Sequence, residues 1–160
     1  MVDDAGKVHA LLDAVAVLDG ADAAYALTGG VAVGLHSGVP RATLDTDLAV
    51  GTRHRGEDLV TSFVRAGFEL RGEHAHSVNL RHGCGEPVQL AFDPAFDAMI
   101  ERAESLDVDG VRVRVVTKHD LIAMKRRAAR DPSQRRSRAL GDAADVELLL
   151  GDVPHPDEGW

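Results

Sequence analysis

The sequence predicts an α/β (α+β) fold in which one mixed β-sheet is flanked by helices. Segments with helical and with strand-like patterns alternate along the chain, which is typical of this class. A hydrophobic share of 44% with 28% charged residues is typical of a folded globular protein. The length of 160 residues suffices for one domain with a layered core. We expect residues 1–153 to form that domain and residues 154–160 to form a flexible tail.

The individual elements follow from the spacing of apolar residues and from Gly, Pro and Asp breaks. Thr117 is the expected N-cap of the helix that follows it. We expect a mobile basic loop at residues 134–138. The predicted helices are residues 8–18, 31–36, 56–66, 95–103, 118–130 and 140–150, and the predicted strands are residues 25–28, 42–50, 68–70, 77–80, 87–92 and 111–116.

The charge distribution limits the partners. A formal net charge of −8 argues against a protein that coats DNA, which needs a basic surface. Residues 118–138 nevertheless carry eight Lys and Arg against two Asp. Such a segment suits a polyanion of limited size, such as a nucleotide triphosphate or an RNA end, although a solvated helix face explains it equally well.

The chain shows no signal for export or for membrane insertion. The single cysteine, Cys84, excludes an internal disulfide framework and fits a reducing compartment. The first residues lack a basic stretch followed by an apolar run, and no run of 18 apolar residues occurs. We therefore expect a cytoplasmic protein with no membrane partner. We expect no catalytic role for Cys84.

Two short motifs are the candidates for chemistry. Gly29-Gly30 follows the strand that ends at Thr28 and opens a helix, where backbone N–H groups bind anions and glycine allows close approach. Asp45 and Asp47 lie two residues apart on a predicted strand, so both carboxylates point the same way. Hard cations such as Mg²⁺ prefer carboxylate oxygens. The motifs together predict a phosphate-binding helix start beside a metal site.

These motifs resemble a known family. The pattern Gly29-Gly30-x5-His36-x4-Arg41-x-Thr43-x-Asp45-x-Asp47 is similar to the core of the nucleotidyltransferase superfamily, nearest to its AbiEii-like (abortive-infection, toxin–antitoxin) branch. The likeness continues at Leu121-Ile122-x2-Lys125-x2-Ala128-x-Arg130 and at Asp142-x2-Asp145.

The resemblance implies a nucleotidyltransferase-like fold and assigns a role to each matched position. Asp45 and Asp47 would be the catalytic residues that hold Mg²⁺ or Mn²⁺. The nucleotide triphosphate, ATP or another NTP, would be bound by a set that surrounds them: Thr28, Gly29, Gly30, Arg41, Thr43 and Lys125. We expect Asp142 and Asp145 to be structural and to form ion pairs with Arg130 or Arg138.

The sequence departs from the family pattern at the third carboxylate. Active members usually carry it on a neighbouring strand, where it can deprotonate the attacking hydroxyl. Here Gln89 occupies the matching position, and a carboxamide cannot act as a base. Asp93, four residues on, is the other candidate for the third position, but only if the strand bends, because it lies roughly 13 Å away at about 3.3 Å per residue.

Two functions remain open from the sequence. The first is a Mg²⁺-dependent enzyme that transfers NMP from an NTP to a hydroxyl of an RNA end, a protein or a small molecule, in the manner of a toxin. The second is a degenerate member that binds a nucleotide or a partner without turnover. An antitoxin protein is a further expected partner. The oligomeric state and the base of the nucleotide are not indicated by the sequence.

Overall fold

The computed structural model describes residues 4–153, which form one seven-stranded mixed sheet with six α-helices. The predicted fold class is confirmed, whereas the predicted tail at residues 154–160 lies outside the described residues. The helices are α1 (Asp4–Gly20), α2 (Gly29–Ser37), α3 (Glu57–Arg65), α4 (Asp97–Arg102), α5 (Lys118–Arg130) and α6 (Arg136–Leu149). The strands are β1 (Tyr25–Thr28), β2 (Thr46–Val50), β3 (Glu69–Glu73), β4 (Ser77–Arg81), β5 (Pro87–Ala91), β6 (Glu104–Val108) and β7 (Val111–Val115).

The strand order is β3-β4-β5-β2-β1-β7-β6. β2 is antiparallel to β1 and parallel to β5, and β1 is parallel to β7. The central strands are almost entirely apolar and buried, as expected of strands covered on both faces. α2 packs against β1 and β2 and against α5 and α6, while α1 packs against β2, β7 and α3. Within residues 4–153, no helix combines the length and apolarity needed to cross a bilayer.

The predicted start of the second strand at residue 42 is wrong. β2 begins at Thr46, and Leu44 before it is 86% exposed. β1 ends at Thr28, which pairs with Asp47, and the pairing with β5 begins at Thr46. Residues 42–45 therefore have no neighbouring strand on either side, and a strand without partners does not form.

Two further elements differ from the predictions. β6 was not predicted, although Asp109-Gly110 between alternating apolar residues is a strong hairpin signal, and both residues adopt positive φ angles of 49° and 81°. The predicted loop at residues 134–138 is also wrong, because α6 already begins at Arg136. Arginine is a good helix former, and its charge is solvated at an exposed first turn. The predicted cap is confirmed: Thr117 Oγ1 accepts a hydrogen bond from Asp120 N (3.1 Å).

Candidate nucleotide and metal site

The sheet register aligns three of the predicted site residues. Thr28, the last residue of β1, pairs with Asp47 of β2, and Asp47 pairs in turn with Gln89 of β5. Paired residues on adjacent strands point to the same face, so the three side chains form a row across the sheet. Asp45 lies immediately before β2 and is exposed. The row places Gln89 directly beside Asp47, where a third carboxylate was expected.

The start of α2 closes over Asp47. Gly29 adopts a φ of +69°, and a Cβ atom there would overlap the Asp47 carboxylate. A Cβ atom at Gly30 would lie 2.8 Å from the Thr43 side chain, which is also too close. Both positions therefore require glycine. The first backbone N–H groups of α2 stand next to a carboxylate and present an anion-binding helix end.

The electrostatic environment of Asp47 favours a bound cation. Burial, and then the negative charge of Asp45, raise the pKa of Asp47 above its ordinary value. The positive charges of Lys125, Arg138 and Lys7 act in the opposite direction but do not cancel the rise. A half-buried carboxylate beside a second one is costly as an anion, and a hard divalent cation removes that cost. The residues present thus fit a magnesium ion held by Asp45 and Asp47.

Lys125 and Arg41 belong to an ion-pair network with α6. Lys125 Nζ donates a hydrogen bond to Asp142 Oδ1 (2.8 Å) and lies 3.0 Å from Asp145 Oδ2, a charge contact without hydrogen-bond geometry. Arg41 Nε donates to Asp145 Oδ1, and Arg41 Nη1 donates to the Ala42 carbonyl (3.0 Å).

This network corrects the predicted partners of the α6 acids. Asp142 and Asp145 are paired with Lys125 and Arg41 rather than with Arg130 or Arg138. Burial acts to raise the pKa of Asp142, but hydrogen bonds from Lys125 and Gln134 hold that pKa below its ordinary value. The acids therefore hold Lys125 and Arg41 in place, which is a structural role, as expected of them.

The remaining predicted site residues lie at different distances from Asp47 and have different partners. Thr43 Oγ1 donates to the Asp45 carbonyl (3.2 Å) and so shapes the loop before β2. Gln89 Nε2 donates to Asn79 Oδ1 (3.2 Å) on β4. Asp93 is not brought to Asp47: it lies beyond the end of β5, where its Oδ1 accepts from Ala95 N (2.9 Å) and begins a 3₁₀ turn. Of the two candidates for the third position, only Gln89 stands beside Asp47.

Sequence reasoning missed Lys7. Its side chain on α1 is 10% exposed, and its Nζ lies 2.9 Å from Glu86 Oε2. Its positive charge acts on Asp47 and opposes the rise in the pKa of that carboxyl without cancelling it. A lysine in the first turn of a helix is ordinarily exposed, so no pattern in the sequence indicates this position.

The glycine requirement yields a matched pair of variants. Gly29→Ala introduces both a positive-φ alanine and an overlap with Asp47, whereas Gly38→Ala introduces a positive-φ alanine (φ +73°) with no atom within 4 Å. We expect Gly38→Ala to lower the free energy of unfolding by about 1 kcal/mol and Gly29→Ala to lower it by about 3 kcal/mol. Urea denaturation measures both. Equal losses would show that Gly29 does not approach Asp47 closely.

Comparison with solved structures defines the class of the fold. The chain is similar to the lincosamide antibiotic adenylyltransferase LnuA with bound lincomycin (TM-score 0.62, 11% identity, covering 87% of this chain and 93% of that one). It is also similar to ANT(2'')-Ia in complex with adenylyl-2''-tobramycin (TM-score 0.64, 19% identity, 91% and 90% covered). A third similar structure is a nucleotidyltransferase-like protein from Thermotoga maritima (TM-score 0.60, 12% identity, 96% and 97% covered). The fold is that of the nucleotidyltransferases.

The family follows from the sequence. Residues 10–158 match the model of the nucleotidyl transferase AbiEii toxin family, type IV toxin–antitoxin system. The chain therefore belongs to the AbiEii nucleotidyltransferase family, which supports an enzyme of that class and confirms the resemblance found in the motifs. No curated protein matches the sequence.

Proposed function

We propose that this protein transfers NMP from an NTP to an acceptor hydroxyl in a Mg²⁺-dependent reaction. The single observation that supports this most strongly is the placement of Asp47, which lies beside Asp45 and directly under the start of α2. Asp45 and Asp47 would hold Mg²⁺ or Mn²⁺, and the helix start at Gly29-Gly30 would hold the triphosphate. A metal-binding carboxylate and an anion-binding helix end in contact are what NMP transfer requires.

The remaining predicted residues take supporting roles in this proposal. Thr28, Arg41 and Thr43 surround the helix start, and Lys125 places a positive charge near Asp47. Because Asp142 and Asp145 orient Lys125, its ammonium group stays in place before the nucleotide binds. A metal ion held by Asp45 and Asp47 would supply positive charge that offsets the charge of the phosphates. The acceptor hydroxyl loses its proton to water, its oxygen bonds to the α-phosphorus, the bond from that phosphorus to the β-phosphate oxygen breaks, and pyrophosphate leaves.

Calorimetry and transfer assays test this proposal. Titration with an NTP should show binding with Mg²⁺ present and much weaker binding with a chelator. Incubation with α-labelled NTPs and cell extract should then produce a labelled acceptor. Nucleotide binding that is independent of the metal and of Asp45 and Asp47 would contradict the assignment.

The acceptor belongs to one of three classes. The similar adenylyltransferases are named for antibiotics, which supports a small hydroxyl-bearing molecule. The basic side chains of α5 and of the segment leading into α6 support an RNA end, and a protein side chain is the third class. Membership in a toxin family supports an antitoxin protein as a partner and the cytoplasm as the compartment.

One observation favours a second function, nucleotide or partner binding without turnover. Gln89 stands beside Asp47 at the position where a third carboxylate would accept the proton of the attacking hydroxyl. A site with two carboxylates and no such base can bind a metal–nucleotide complex, but it transfers NMP slowly or not at all.

Gln89→Glu tests the importance of this position. The change keeps the length of the side chain and places a carboxylate beside Asp47, so we expect transfer to accelerate by about 10² and the Mg²⁺ requirement to shift to lower concentration. Steady-state transfer to the acceptor measures both. Asn79→Asp, which adds the same charge one strand further away, is the control. An inactive wild type together with an active Gln89→Glu variant would establish the binding-only function.

A further inference from the structure

A second group of metal-ligand side chains lies away from Asp45 and Asp47. His9 and Asp13 are one turn apart on α1, and His82 lies in the turn between β4 and β5. Within the part of the chain that the structure describes, this is the one group of three His, Cys, Asp or Glu residues whose ligand atoms all lie within 4.8 Å of one another. The proposed nucleotidyl transfer makes no use of it.

The distances in this group approach those of a zinc site. Asp13 Oδ2 lies 2.6 Å from His82 Nε2 and 3.4 Å from His9 Nε2. Ligand bonds of 2.0–2.1 Å in tetrahedral geometry place neighbouring ligand atoms about 3.3 Å apart. Side-chain movements of less than about 1 Å would therefore bring the three ligand atoms to the spacing of a tetrahedral zinc site. Residues i and i+4 of a helix already share one face, so α1 supplies two ligands without backbone movement.

The group of His9, Asp13 and His82 is buried on the His82 side and accessible to solvent on the α1 side. The His82 side chain is 9% exposed, and its ring packs edge-on against Phe68 at 5.1 Å, which fixes its orientation. The side chains of His9 and Asp13 are 65% and 46% exposed. Three protein ligands with an accessible fourth position for water define an open zinc site.

The second nitrogen of His82 also has a partner. Cys84 Sγ lies 2.9 Å from His82 Nδ1, and the Cys84 amide lies 3.1 Å from the same atom. Without metal, the amide N–H directed at Nδ1 keeps the ring proton on Nε2, which donates it to Asp13. A metal-ligating histidine usually donates its other N–H to a fixed acceptor, and Cys84 Sγ is placed to accept it.

We propose that His9, Asp13 and His82 bind one zinc ion, with Cys84 as the positioning residue that orients His82. The His82 ring proton moves from Nε2 to Nδ1 through water, and zinc binds the lone pair that this leaves on Nε2. The product is a zinc-bound neutral imidazole whose Nδ1–H donates to Cys84 Sγ. The Cys84 amide has to turn aside, so the site binds more weakly than a closed four-ligand structural site. The ion links α1 to the β4–β5 turn.

Calorimetric titration of the untagged full-length protein with ZnCl₂ tests the site. We expect one ion per chain, a raised Tm, and no displacement by excess MgCl₂. His9→Ala removes an exposed ligand, and Asp13→Asn keeps an acceptor for His82 Nε2 while removing the charged ligand, so both variants should fold. Each should weaken zinc binding at least about tenfold. His119→Ala removes an exposed imidazole on α5 and should leave zinc binding unchanged.

Cys84→Ala tests the positioning role of the thiol. We expect zinc affinity to fall about tenfold with the stoichiometry intact, and we expect Cys84→Ser, which keeps an acceptor for Nδ1–H, to restore most of that affinity. Zinc binding that is absent in the wild type, or equal in wild type, His9→Ala and Asp13→Asn, would overturn the site. Zinc binding that is unchanged in Cys84→Ala would overturn the role of the thiol.

Discussion

Replacing Asp47 with asparagine should lower kcat/KM for NMP transfer by about a thousandfold or more. In the proposed mechanism the substitution removes one of the two carboxylates that hold the metal ion, and metal stabilisation of a transferring phosphoryl group contributes several kcal/mol. Transfer of labelled NMP and calorimetric Mg²⁺ titration measure the effect. Asp58→Asn, at the exposed first turn of α3, is the control and should retain activity.

The same variant should unfold at a higher temperature than the wild type in metal-free buffer. The pKa of Asp47 is raised in the folded protein, first by burial and then by Asp45. Stability from such a group is fully present below the ordinary carboxyl pKa and is lost as the pH rises through the raised folded value. At neutral pH the Asp47 carboxylate therefore opposes folding, and the neutral amide does not. If the wild type and Asp47→Asn have the same Tm at every pH from 4 to 8, this account is contradicted.

Asp145→Asn should lower the free energy of unfolding by about 3 kcal/mol. The Asp145 side chain is 1% exposed and contacts both Arg41 and Lys125, so the change leaves two cations without the charge between them. Arg41 is 31% exposed and Lys125 keeps Asp142, which places the loss at the lower end of the range for broken buried ion pairs. Urea denaturation monitored by circular dichroism measures it.

Glu147→Gln is the matched control for Asp145→Asn, because it removes an exposed carboxylate from the same helix. It should change the free energy of unfolding by less than about 0.5 kcal/mol. If Asp145→Asn is as mild as this control, the α6 acids do not hold Arg41 and Lys125. If it is severe, nucleotide affinity should fall as well, because the orientation of Lys125 depends on Asp145.

The local parts of the site could be predicted from the sequence. Gly29-Gly30 after a short apolar strand indicates a helix start with close approach, and the structure places these glycines against Asp47 and Thr43. Gln89 could be identified as the residue at the third position because strand parity and the family pattern agree there, and the register pairs it with Asp47. Local backbone geometry and strand alternation depend on consecutive residues, and they can therefore be predicted from the sequence.

The structure decided which distant charges meet. Arg41 and Lys125 are separated from Asp145 by 104 and 20 positions in the sequence, and the choice of these partners over Arg130 and Arg138 depends on how α5 and α6 pack. The buried ion pair of Lys7 depends likewise on the contact between α1 and the β4–β5 turn. Sequence periodicity carries no information on such pairings, because any acid on a helix face is compatible with several cations.

The sequence by itself determined the fold class, the family, the helix start at Gly29-Gly30 and the pair Asp45 and Asp47. The tertiary structure decided that β2 begins only at Thr46, since strand pairing requires neighbours, and that Asp93 stays away from Asp47. It also decided that His9, Asp13, His82 and Cys84 come together. The physical reason is the same in each case: a hydrogen bond or an ion pair between distant residues exists only once the sheet register and helix packing have formed.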